Sequence, residues 1–181
     1  MKLLIASDIH GSAYYCRKLL ECYKNEGCDS ILLLGDILYH GPRNPLPQEY
    51  NPMEVCNMLN PLKESITAVR GNCDSEVDQM VLQFPIMSDY TLLHIDGIDL
   101  YATHGHIYDD VNPMPHKKGS IIACGHIHVP KYICCDDFTY INPGSTSIPK
   151  ENSEGSYIIL ENGVFTWKTL DMKPYMTYEV K

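Results

Sequence analysis

Short apolar runs punctuate this chain, and five of them stop at His, Asp or Asn. Residues 2–7, 30–34 and 66–70 each read as a short buried strand. Between them lie two stretches of helical period. The first is capped by Ser12 and runs to about Glu26, with Cys16, Leu19, Leu20 and Tyr23 on one face and Gly27 as terminator. In the second, Asn51-Pro52 supplies a cap and first helical position, and Val55, Met58, Leu59 and Leu62 point inward. Strand and helix in alternation imply parallel pairing through right-handed crossovers. The second half is β-rich. Strands at 90–95 and 98–103 flank the hairpin signal Asp96-Gly97. Others fall near 120–124, 131–135 and 138–142, and a last hairpin of 156–161 and 164–170 turns at Asn162-Gly163. The expected architecture is two packed sheets with helices on the outer faces, in one domain spanning 1–181.

The strand ends repeat a chemistry. Residues 3–7 run into Asp8-Ile9-His10, 31–34 into Gly35-Asp36, and 66–69 through Arg70 into Gly71-Asn72-Cys73-Asp74. Residues 98–103 run into His104-Gly105-His106, and 120–124 into Gly125-His126-Ile127-His128. In layered α/β folds ligands bind beyond the carboxyl ends of strands, so these side chains are expected along one sheet edge. Loop 37–50 follows Asp36 directly and is long for a compact domain. It carries His40 and Arg43, both candidates to reach a bound phosphate.

Composition narrows the classes. With 181 residues, 44% hydrophobic and 20% charged, the chain reads as soluble and globular. A formal charge of -9 disfavours broad nucleic-acid binding. No apolar stretch approaches the roughly 18 residues of a membrane span, and Asp8 and His10 interrupt the N-terminal run too early for a signal peptide. The eight cysteines (16, 22, 28, 56, 73, 124, 134 and 135) include no CxxC pair, and Cys16, Cys22 and Cys124 fall in expected core elements. They read as reduced residues of a cytoplasmic protein, not as a disulfide framework or a zinc ribbon.

Taken singly, each strand end has an ordinary explanation. Asp8 suits a helix entry, Gly35-Asp36 and Gly71-Asn72 suit turns, and His104 and His106 suit a surface beyond a strand. His126 and His128 alternate, which on an extended segment puts both on one side. Together they are harder to explain that way, because random turn chemistry would scatter Ser, Pro and Lys among the five ends. Four histidines, two aspartates and an asparagine form a nitrogen and oxygen donor set that suits Mn, Fe, Zn or Ni. Seven donors exceed the four of a single structural zinc and make two metals plausible.

Asp8-x-His10, Gly35-Asp36, Gly71-Asn72-x-Asp74, Gly105 flanked by His104 and His106, and Gly125-His126-x-His128 resemble, in order and spacing, the signature of the calcineurin-like metallophosphoesterases. His40 through Asn44, Arg70 through Asp78 and Asn142-Pro143-Gly144-Ser145 are similar to the YfcE-type branch of small bacterial phosphodiesterases. The resemblance implies a four-layer α-β-β-α sandwich of two mixed sheets flanked by helices. It implies two divalent ions, manganese first, with iron, zinc or nickel as alternatives. Asp8, His10, Asp36 and His128 would hold one ion. Asp36, Asn72, His104 and His126 would hold the other, with Asp36 bridging. The implied reaction is hydrolysis of a small phosphodiester by in-line attack of a metal-bridging hydroxide.

Two positions depart from the wider family. Cys73 stands where a leaving-group histidine is common, so Cys73 and Asp74 are the catalytic candidates and His40 and Arg43 the substrate-binding ones. Ile127 stands where Thr is common, with its side chain expected to point away from the metals. His106 has no ligand role in the pattern and is expected to line the pocket, orient a neighbour or serve a plain structural role. The rival functions are a phosphomonoesterase and a non-catalytic, retromer-like scaffold subunit. The expected partners are a small phosphodiester, no membrane, and a second copy of the chain in a homo-oligomer.

Overall fold

A computed structural model describes residues 1–180. The strands are β1 (Leu3–Ala6), β2 (Ser30–Leu33), β3 (Ile66–Ala68), β4 (Tyr90–Ile95), β5 (Ile98–Thr103), β6 (Ser120–Ala123), β7 (Pro130–Cys134), β8 (Phe138–Pro143), β9 (Ser156–Glu161), β10 (Val164–Thr169) and β11 (Pro174–Glu179). The helices are α1 (Ala13–Glu26), α2 (Pro52–Leu59) and α3 (Glu76–Val81). They build two mixed sheets. One has the order β11-β10-β9-β1-β2-β3, the other β4-β5-β6-β8-β7. The strand–helix half pairs in parallel as its pattern predicts, β1 with β2 and β2 with β3. In the second sheet β5, β6 and β8 are parallel neighbours, with antiparallel β4 and β7 at the edges.

The central strands are apolar on both faces because both faces are covered. Leu4, Ala6, Ile31 and Leu33 pack with Cys16, Leu19 and Cys22 of α1 and Val55, Cys56 and Leu59 of α2. The alternate residues Leu3, Ile5 and Leu32 meet Leu100, Ala102, Ile121 and Ile141 of the other sheet, together with Phe165 and Trp167. The outer face of the five-stranded sheet buries Ile122, Cys124 and Tyr140 beneath segment 104–119, where Met114 is 2% exposed. That segment has no helix or strand of its own.

Both expected helix starts form as read. The Ser12 side chain accepts from the Tyr15 amide, Asn51 accepts from Glu54, and Gly27 ends α1 in the left-handed conformation. Two elements were not expected. The β11 strand pairs with β10 at the sheet edge and buries little, so it carries no inward apolar run. Helix α3 has only six residues and is set by a capping box, in which the Ser75 amide donates to Asp78 Oδ2 at 2.8 Å.

Candidate metal centre

At the ends of β1, β2 and β6 the chain turns sharply. Five of the expected ligands sit there in the left-handed region: Asp8 (φ 58°), His10 (49°), Asp36 (53°), His126 (67°) and His128 (62°). Non-glycine residues rarely adopt positive φ, and such strain concentrates at functional sites. The left-handed turns replace one expectation. Residues 125–129 are not an extended segment, so His126 and His128 converge through a bend and not by strand alternation.

Three overlapping groups of donors result, one of them His10, Asp36 and Cys73. Asp8, His10 and His128 form the first, with His128 Nε2 3.1 Å and His10 Nε2 3.5 Å from Asp8 Oδ1. Asp8, Asp36 and His104 form the second. His104 Nε2 lies 3.4 Å from Asp36 Oδ2 and 3.1 Å from Asn72 Oδ1. Asp36 Oδ2 is also 3.7 Å from His10 Nε2, so this carboxylate stands between the groups. The His126 ring lies 5.1 Å from that of His104, centroid to centroid, and its backbone amide donates to Asp8 Oδ2.

The donors fit cations. His10 Nδ1 donates to the Tyr39 carbonyl, His128 Nδ1 to that of Ile148 and His104 Nδ1 to that of Leu34, at 2.6–2.8 Å. A carbonyl only accepts, so in each neutral ring the lone pair lies on Nε2. The Nε2 lone pairs of His10 and His128 then face each other at 3.3 Å. Buried Asp8 Oδ1, beside them, has no hydrogen-bond donor. Such an array of acceptors is stable only around positive charge. Protons can supply some of it. Burial lowers the His104 pKa, but its bond to Asp36 and the charge of Asp8 outweigh burial and raise it to about 9. Burial likewise works against the Asp8 carboxylate, yet His10 and His128 hold it well below the usual range.

The surrounding loops are tied by the backbone. Ser145 Oγ donates to the Asp8 carbonyl, Thr146 Oγ1 to that of Ser7, and Asn142 Nδ2 to that of Gly125. Segment 142–146 thereby joins the β1 and β6 turns. Gly71 lies so close to Asp36 that an added Cβ would strike the Asp36 carboxylate and amide. Gly71→Ala is therefore expected to displace Asp36 and lower both metal occupancy and kcat by about 10- to 100-fold. Metal analysis beside steady-state assay checks this.

Two expectations change at this level, those for Asp74 and His40. Asp74 does not line the cavity. It is buried, and its carboxylate accepts from the amides of Ile37, Asp36 and Gly71 at 2.7–2.9 Å, which makes it a positioning residue. Burial pushes its pKa up to about 6, against the pull of the Ile37 and Gly71 amides. His40 does not line the cavity either; it packs edge-on between the Tyr39 and Tyr50 rings. Ile127 is among the residues that line the cavity. His106 abuts the His104 ring at 5.3 Å, with its Nδ1 buried and without a partner, and so is a neighbour of the centre.

The cavity holds about 540 Å³ and is lined by Asp36, Asn72, Cys73, His126 and His128, with Arg43 and Lys150 as its cations. Lys150 carries no motif that sequence reasoning could use. It is placed by its amide, which donates to the His128 carbonyl. The amide of Cys73 donates to Asp36 Oδ1 at 2.8 Å. Its thiol is pushed up to about 12 by burial and by Asp36, Asp74 and Asp8.

The chain can now be compared with known proteins. Residues 1–163 match the model of the calcineurin-like phosphoesterase superfamily domain. Phosphodiesterase YfcE of Escherichia coli K12 is 42% identical over 166 residues, covering 92% of this chain and 90% of the relative. Phosphodiesterase MJ0936 of Methanocaldococcus jannaschii is 27% identical over 180 residues, covering 89% and 100%. The solved structure of E. coli YfcE, described as a phosphoesterase, superposes with a TM-score of 0.96 at 39% identity, and all of both chains is covered. Vps29 of Entamoeba histolytica, solved with zinc, has a TM-score of 0.65 at 16% identity over both full chains, which shows a shared fold. Signature, fold and relatives agree, and the chain belongs to the calcineurin-like phosphoesterase superfamily.

Proposed function

We propose that this protein is a metal-dependent phosphodiesterase acting on small diesters, in the cytoplasm, as a single domain. The observation that carries the reading is the convergence of Asp8, His10, Asp36, His104 and His128, whose donor atoms cluster in overlapping groups with Asp36 Oδ2 within 3.7 Å of both His10 and His104. Asp8, His10, Asp36 and His128 would hold one divalent ion, and Asp36, Asn72, His104 and His126 the other. Bound there, such ions would supply Lewis-acid stabilisation of phosphoryl oxygens and a water of lowered pKa. Manganese is the first choice of metal, with iron, zinc or nickel as alternatives. The 42% identity to E. coli YfcE supports diesters as the substrate class. The eight free cysteines, four of them buried, support a reducing compartment. The decisive assay compares rates on bis(p-nitrophenyl) phosphate and p-nitrophenyl phosphate. A higher kcat/KM on the monoester would assign the protein to phosphomonoesterases instead.

The chain's own residues divide the remaining work. Arg43 and Lys150 put positive charge at the cavity wall, where a substrate phosphate would lie. Arg43→Ala is expected to raise KM for diesters about 5- to 20-fold with a smaller change in kcat, since a charged hydrogen bond contributes about 1.5 kcal/mol or more. Unchanged KM and kcat on every diester tested would remove Arg43 from substrate binding.

Cys73 occupies the leaving-group position as an un-ionised thiol, a weak donor. It can assist a leaving alkoxide little, so esters with good leaving groups are the expected substrates. Cys73→His is expected to raise the rate on alkyl diesters several-fold relative to aryl ones. If Cys73→Ala leaves alkyl diesters unaffected, the thiol is no proton donor.

A further inference from the structure

Cys73 faces two cavities, and only one of them is the metal centre. On its far side lies a second cavity of about 300 Å³, walled by Leu38, Tyr39, Tyr50, Pro52 and Val77. The two spaces share Cys73 as a common wall. The second is mainly apolar and aromatic. Its polar members, Ser75 and Asp78, are engaged with each other in the α3 capping box. Its walls are braced, because the His40 ring packs edge-on against Tyr39 at 4.8 Å and against Tyr50 at 5.1 Å. It is also tied to the metal centre through the main chain, since the Tyr39 carbonyl accepts from His10 Nδ1. Tyr39 and Val77 nevertheless keep much of their surface open, at 41% and 69% exposed.

We infer that this cleft is the subsite for an aromatic ester group of the diester, with Tyr39 and Val77 as specificity-determining residues. The inference rests on the phosphodiesterase reading and names the substrate class within it. A phosphate held beside Arg43 and Asn72 has two ester oxygens: the leaving one departs toward the Cys73 thiol, and the retained ester group passes beside Cys73 into the cleft. An apolar cavity of roughly 150 Å³ is enough to bind benzene, so this one accommodates an aryl group or a nucleobase. Open aromatic rings such as Tyr39 supply large contact area at small entropic cost. A methyl ester reaches none of these walls.

The test uses two diesters with the same leaving group, p-nitrophenyl phenyl phosphate and p-nitrophenyl methyl phosphate, with manganese-loaded protein. The wild type is expected to prefer the phenyl ester about tenfold or more in kcat/KM, from burial of one aromatic ring. Val77→Asp puts a carboxylate in the cleft at the second residue of α3, where a negative charge favours the helix. Tyr39→Ala keeps the carbonyl that accepts from His10. Each is expected to lower the phenyl-to-methyl ratio about fivefold or more, chiefly through KM for the phenyl ester. An unchanged ratio in both variants overturns the inference, and so does an equal fall on both substrates. A variant that shifts the sedimentation coefficient without moving the ratio would make the cleft a contact between copies, which also overturns it. If the wild type cleaves neither diester with any metal, the phosphodiesterase reading itself falls. Cleavage of both without preference removes the subsite alone.

Discussion

Replacing Asp36 by alanine is expected to abolish hydrolysis, lowering kcat about 10³-fold or more, and to lower the occupancy of both metal positions. Asp8 also belongs to two of the donor groups, but Asp36 is the carboxylate that reaches both His10 and His104 with one oxygen. Asp36 Oδ2 lies 3.4 Å from His104 Nε2 and 3.7 Å from His10 Nε2. Asp36 Oδ1 accepts from the Cys73 amide, which orients the carboxylate and fixes the turn that carries Asn72. Metal clamping of a phosphoryl group contributes several kcal/mol, and each 1.36 kcal/mol is a factor of ten. Loss of the shared ligand removes most of that. Asp36→Asn keeps the shape and one oxygen but not the charge, so it is expected to retain partial occupancy with a rate still reduced about 100-fold or more. Circular dichroism should stay native in both variants, because Asp36 lies outside the apolar clusters. A variant that binds two metals and turns over at the wild-type rate would remove Asp36 from the centre.

The largest stability effect is expected at Asp74. Its two oxygens accept from the backbone amides of Ile37, Asp36 and Gly71, and the residue is 8% exposed. Asp74→Ala leaves three amides without an acceptor, the consecutive pair of Asp36 and Ile37 after β2 and that of Gly71 after β3. A buried donor left unsatisfied costs about 1–3 kcal/mol. A total of about 3–5 kcal/mol follows, or roughly 10 °C in Tm for a chain of this size. Asp74→Asn gives little rescue, because all three partners are donors and the new NH₂ group must face at least one of them. Calorimetry of the two variants beside Asp74→Glu checks the account. Wild-type Tm in Asp74→Ala would show that these hydrogen bonds do not hold the loop.

Much of this arrangement was legible because strand ends carry chemistry in a regular order. The parallel β1-β2-β3 unit, α1 with its Ser12 and Gly27 caps, and the convergence of Asp8, Asp36, His104 and His128 all follow from local pattern plus strand order. What stayed hidden depends on backbone turns. No periodicity announces that Asp8, His10, Asp36, His126 and His128 are left-handed. Alternation therefore gave the wrong geometry for the His126–His128 pair. Asp74 reads as a polar residue among metal ligands, and only three-dimensional contact shows amides around it. Helix α3 has no buried residue and so no apolar stripe to show. The β11 strand lies at a sheet edge and had no buried run to show. Lys150 reaches the cavity from a loop more than twenty residues beyond His126, a neighbour that tertiary packing alone supplies.

The central claim is that two cations sharing Asp36 make this protein a phosphodiesterase. Its most direct test strips the protein with chelator, measures metal by mass spectrometry, and titrates manganese back while following bis(p-nitrophenyl) phosphate hydrolysis. The account predicts no turnover in the stripped protein and recovery that saturates at ~2 ions per chain. Wild-type turnover from protein holding less than about a tenth of an ion per chain would contradict it.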